Sequence, residues 1–75
     1  MSEVGQSAAL SIVVNGEERS VRSGDTVTDL LLALGLENGR VAIERNLKIL
    51  ARTEWAVTKI AAGDRYEIVQ FVGGG

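Results

Sequence analysis

The stretch LSIVVNGEERSVRSGDTVTDLLLALG, residues 10–35, decides the fold. Leu10, Ile12 and Val14 alternate with Ser11 and Val13, the period of a strand with one buried face. Asn15-Gly16 follows. A two-residue hairpin turn of type I′ needs positive φ at both central positions, and these two residues tolerate it best. Glu17 to Arg22 is then the returning strand, more polar and carrying Val21 near its end. Ser23-Gly24-Asp25 is turn chemistry, and Thr26-Val27-Thr28-Asp29 has the form of a helix capping box. Val27, Leu30, Leu31 and Leu34 fall at helical spacing, and Gly35 supplies a left-handed stop. A helix this short cannot persist alone and must pack on the sheet.

The pattern continues outward from that stretch. Val41 to Arg45 alternates again and reads as a third strand, with Asn46-Leu47-Lys48 as its turn and Ile49-Leu50 as a short return. Residues Thr53 to Lys59 fit a single helical turn around Trp55, Gly63-Asp64 a turn, and Arg65 to Val72 the last strand. Strand, strand, helix and further strands make an α+β domain, a mixed sheet with one helix across one face. Residues 1–8 read as a flexible leader, 9–72 as the domain and 73–75 as a flexible glycine tail.

Composition narrows the function. The chain has 75 residues, 45% hydrophobic and 24% charged, enough for one small core and too apolar for a disordered chain. It holds no cysteine and no histidine. Thiol or serine–histidine nucleophile systems are therefore impossible within it, and the usual metal ligands are missing. Glu17, Glu18, Glu44 and Glu67 fall at strand positions expected to face solvent, and no phosphate-binding glycine loop with its lysine is present. A net charge of −2 argues against nucleic acid or an anionic membrane as partner. The expectation is a cytoplasmic monomer that is not itself an enzyme and binds no metal or cofactor.

Two features remain. If Tyr66 and Ile68 point inward with the alternating residues of the other strands, then Val13, Ala42, Val69 and Phe71 point outward as an apolar stripe, a partner-binding face. The second feature is Gly73-Gly74-Gly75 directly after a strand. Three glycines cost entropy to order and cannot help the fold. Extended, they reach roughly 10 Å beyond the body. Without side chains they could thread a narrow channel, and the α-carboxylate of Gly75 is the one reactive group there. Joined to AMP it becomes a mixed anhydride open to a sulfur or nitrogen nucleophile.

With that tail on this strand order, the chain resembles the ubiquitin-like β-grasp superfamily, and within it the sulfur-carrier family of thiamine biosynthesis. The similarity runs from about Leu10 to Gly75. It includes the Asn15-Gly16 turn, Gly24-Asp25-Thr26-Val27, Val41-Ala42-Ile43-Glu44 leading to Asn46, Arg52-Thr53-Glu54-Trp55-Ala56, Gly63-Asp64-Arg65 with Glu67-Ile68-Val69, and Phe71-Val72-Gly73-Gly74-Gly75. Leu47 departs from the family's usual Gly or polar residue, and Ala51 stands where a proline is common. The resemblance implies a cycle. An adenylating enzyme consumes ATP to activate the carboxylate of Gly75, with Gly73 and Gly74 in that enzyme's channel. A cysteine desulfurase or rhodanese-like donor supplies sulfur, and the resulting thiocarboxylate donates it to thiazole synthase. A molybdopterin-pathway carrier, a ubiquitin-like protein modifier and a noncovalent β-grasp binding module are the alternative readings of the same pattern.

Overall fold

A computed structural model describes residues 8–37 and 39–71. Strands β1 (Ala9–Val14) and β2 (Glu17–Arg22) form the first hairpin in the expected register, with Val14 opposite Glu17. Helix α1 (Val27–Leu34) follows, then β3 (Val41–Arg45), β4 (Lys48–Leu50), a 3-10 turn at Arg52–Glu54, and β5 (Arg65–Gln70). The sheet order is β2-β1-β5-β3-β4. β5 runs parallel to β1 and antiparallel to β3, so the last strand sits at the centre. This mixed five-stranded sheet with one helix is the β-grasp arrangement.

The helix forms where its caps place it. The Thr26 hydroxyl accepts from the Asp29 amide at 3.3 Å, and the Asp29 carboxylate accepts from the Thr26 amide at 2.9 Å, closing the capping box. At the other end Gly35 takes φ 76°, and the amides of Gly35 and Leu36 return to the carbonyls of Leu32 and Leu31. That is the Schellman pattern, which only a residue free to adopt the left-handed region closes cheaply. Val27, Leu30 and Leu31 face the sheet and are buried with Ile12, Val14, Val41, Ile43, Tyr66 and Ile68. Trp55 and Ile60 close the same core from the connection before β5.

Three boundaries differ from the sequence expectation. β4 begins at Lys48, because a two-residue turn at Asn46-Leu47 suffices to reverse the chain. The stretch after Ala51 is one 3-10 turn, which lays Trp55 inward so that its indole N–H donates to the Leu50 carbonyl at 3.1 Å. β5 ends at Gln70, although the Phe71 amide still donates to the Arg40 carbonyl at 2.8 Å. Val72 and the proposed leader up to Ser7 lie outside the described residues. Ala8 is described, and its carbonyl accepts from the Ser23 amide at 2.7 Å.

Candidate functional site

β5 is the last described strand before the glycine-rich end of the sequence, and it is held at its entry and along both flanks. Its entry is held by Asp64, a carboxylate only 5% exposed. Asp64 accepts from the Arg45 guanidinium at 3.0 Å, the Tyr66 hydroxyl at 2.8 Å, the Asn46 amide at 3.1 Å and the Ala61 backbone N–H at 2.9 Å. Burial opposes ionisation of Asp64, but the hydrogen bonds from Ala61, Asn46, Tyr66 and Arg45 outweigh it and hold the carboxyl below the usual aspartate value. Burial and the adjacent Asp64 push the Tyr66 hydroxyl up to about 12. The cluster is fully satisfied, since no buried side-chain N or O among the described residues lacks a hydrogen-bond partner. It is a fastening of the strand.

Two turn asparagines grip β5 from its flanks. Beyond the Val14–Tyr66 pairing, β1 turns away into its hairpin and its ladder to β5 stops. The side chain of Asn15 continues that ladder. Its amide N–H donates to the Ile68 carbonyl at 3.1 Å, and its carbonyl oxygen accepts from the Ile68 amide at 2.8 Å. On the opposite flank the Asn46 carbonyl oxygen accepts from the Arg65 amide at 2.9 Å. Both asparagines also donate their own backbone N–H to β5, Asn15 to Tyr66 and Asn46 to Arg65, each at 2.8 Å.

The outer face has the expected parity. Tyr66 and Ile68 are buried, while Ala42, Val69 and Phe71 are exposed and Val13 is half-buried. The structure brings Ala42 and Val69 together as register partners, with Phe71 two residues beyond Val69. It sets Val13 apart, because Val13 pairs with Arg65 at the far end of β5, about 13 Å from Val69. Ile49, 83% exposed on β4, joins the Ala42 side of this face instead. The period-two spacing of β3 carried a signal for Ala42, but only the β3–β4 register reveals Ile49. Gly73, Gly74 and Gly75 lie outside the described residues. Among those described, no group of three or more metal-ligating side chains comes together, and no helix is long and apolar enough to cross a membrane.

The sequence pattern of the ThiS family matches residues 11–75, almost the whole of the described domain and the glycine end. The chain belongs to the ThiS family. A ThiS-family relative named sulfur carrier protein ThiS, from Bacillus subtilis, is 42% identical over 50 residues, which cover 67% of this chain and 76% of that one. The crystal structure of a ThiS thiamine biosynthesis protein from Geobacter metallireducens has a TM-score of 0.70 and 34% identity, and the match covers 88% of this chain and all of that one. Thiazole synthases from Paramagnetospirillum magneticum and Magnetococcus marinus are also similar, at 44% and 35% identity over 66 residues. This chain spans about one fifth of the length of those two synthases.

Proposed function

We propose that this ThiS-family chain is a sulfur carrier of thiamine biosynthesis that works through the carboxylate of Gly75. In this reading an adenylating enzyme joins that carboxylate to AMP with release of pyrophosphate from ATP. A persulfide donor attacks the acyl carbon through its terminal sulfur and AMP leaves. A thiol then cleaves the acyl disulfide, leaving a thiocarboxylate on Gly75 and a disulfide on the donor side. Thiazole synthase takes the sulfur in exchange for an oxygen atom from water or from its own substrate, and the carboxylate returns. The chain supplies position alone, and its partners hold the catalytic groups in a shared cytoplasmic compartment.

The observation that carries this reading is the family match running through Gly73-Gly74-Gly75. The central place of β5 supports it, since the strand leading to those glycines is fastened by Asp64, Asn15 and Asn46 while its outer side chains stay open. The two thiazole synthase relatives support the last step, because in them a segment like this chain belongs to the synthase polypeptide itself. The test is intact mass after incubation with ATP, the adenylating enzyme and the sulfur donor. The mass should rise by the difference between one sulfur and one oxygen atom, and deleting Gly74 and Gly75 should abolish the rise without lowering the melting temperature. An unchanged mass with competent partners refutes the proposal.

A further inference from the structure

On the outer face, Glu67, Glu44 and Ile49 form one row across β5, β3 and β4, since Glu44 is the register partner of both others. The next row pairs Val69 with Ala42. Ala42, Glu44, Ile49, Glu67 and Val69 line a shallow depression of about 370 Å³. Two features here work against the isolated domain. Like charges directly opposite in an antiparallel pair repel. Among the described residues neither Glu44 nor Glu67 is ion-paired, the pairs being Arg22 with Asp25 and Arg45 with Asp64. Arg65, two residues before Glu67, is the cation on the same side of β5. Ile49 and Val69 meanwhile leave apolar surface in water.

We propose that this face docks a partner protein presenting one arginine or lysine among apolar side chains. The cation sits between the Glu44 and Glu67 carboxylates, and its aliphatic stem lies on Ala42, Ile49 and Val69. Charge complementarity selects this occupant. An acidic surface or a nucleic acid is repelled by the carboxylate pair. A purely apolar surface strips water from two adjacent carboxylates and returns nothing. A second copy docked symmetrically through the same patch brings carboxylates against carboxylates. The identity of the partner as a protein that acts on the glycine end rests on the function proposed above; the chemistry of the surface does not.

The test uses the full chain with the adenylating enzyme and the thiazole synthase of the same organism. Glu44→Gln and Glu67→Gln should each weaken binding to at least one of them by roughly ten-fold and flatten its salt dependence. Their melting temperatures should hold or rise, because the cross-strand repulsion is gone. Glu67→Lys should weaken binding further while pairing with Glu44, so affinity and stability move in opposite directions, which misfolding cannot produce. Unchanged affinity for both enzymes overturns the proposal. So does a wild-type dimer, seen by sedimentation, that these substitutions dissociate. A melting-temperature rise with Mg²⁺ or Ca²⁺ alone that the Gln variants lose overturns it too, since the occupant is then an ion. Mass gain at saturating enzyme separates the two readings: wild-type binding that depends on Glu44 and Glu67 without any sulfur loading removes the carrier function and leaves the docking surface standing.

Discussion

The two hairpin turns of this domain have the same design and differ in one residue. Both are two-residue turns led by asparagine, with φ 50° and 84° at Asn15-Gly16 and 53° and 73° at Asn46-Leu47. In both, the asparagine uses its backbone N–H and its side-chain amide to hold β5. Short side chains that tolerate positive φ can therefore do two jobs at once: close a turn locally and fasten a strand roughly twenty to fifty residues away. The turns differ in what they hold and in their second residue. Asn46 feeds a buried carboxylate, whereas Asn15 extends a backbone ladder. Gly16 sits at ease at positive φ, whereas Leu47 does not.

The most damaging break falls on the Asn46 side, at the carboxylate it shares. Asp64→Ala leaves the Tyr66 hydroxyl, the Asn46 amide and the Ala61 N–H without this acceptor, and leaves the Arg45 guanidinium with only the Tyr66 hydroxyl oxygen at 3.2 Å and no counter-charge. The expected loss is about 3 kcal/mol, a large fraction of what a domain of this size has. Chemical denaturation measures it, and a loss near zero would show that the cluster is ornamental to stability. The same groups set the pH limits. Because the Asp64 carboxyl is held below its usual value, its contribution is present above about pH 4 and is lost as pH falls through the folded value. Because Tyr66 is pushed up to about 12, its contribution is complete below its ordinary value and fades as pH climbs toward that figure. Melting temperature against pH should show a plateau with both shoulders, and Tyr66→Phe should remove the alkaline one.

Removing each asparagine while keeping its turn sharpens the contrast. Glycine suits either position, so Asn46→Gly and Asn15→Gly delete the side-chain grip while loosening the unfolded chain equally, and the difference between them isolates the grips. Asn46→Gly should cost about 2 kcal/mol, since it strips a partner from a buried charge and from the Arg65 amide. Asn15→Gly should cost about 1 kcal/mol and speed hydrogen exchange at the Ile68 amide, whose acceptor it removes. Equal costs, or an unchanged Ile68 amide, would show that the two grips are not what separates the turns.

Much of the fold was legible because its signals are local. The Thr26 and Gly35 caps, the Asn15-Gly16 turn and the period-two strands are all written within a few residues of where they act. The parity that puts Tyr66 and Ile68 inside and Val69 and Phe71 outside was legible for the same reason. Register was not. The separation of Val13 from Val69, the apposition of Glu44 with Glu67 and the place of Ile49 depend on which residues pair across strands, and no single strand carries that information. Asp64 read as a turn residue because its partners Arg45 and Asn46 lie 19 and 18 positions away. The glycine end was legible only as chemistry and as family resemblance.

The smallest effect concerns the residue that distinguishes the turns. Leu47 holds φ 73° and is 89% exposed, so it carries backbone strain and gains no burial in return. A side chain in the left-handed region costs roughly 1–2 kcal/mol, which Leu47→Gly removes. Glycine returns about 0.4–1 kcal/mol of that by loosening the unfolded chain. The difference leaves a gain of about 0.5–1 kcal/mol, or a rise of several degrees in melting temperature for a domain of this length. The Asn46 side-chain bonds should survive, because the turn keeps its φ signs and only the strained Cβ departs. A fall in melting temperature would mean that Leu47 is not strained, and that its departure from the Asn-Gly pattern of the first hairpin carries no penalty.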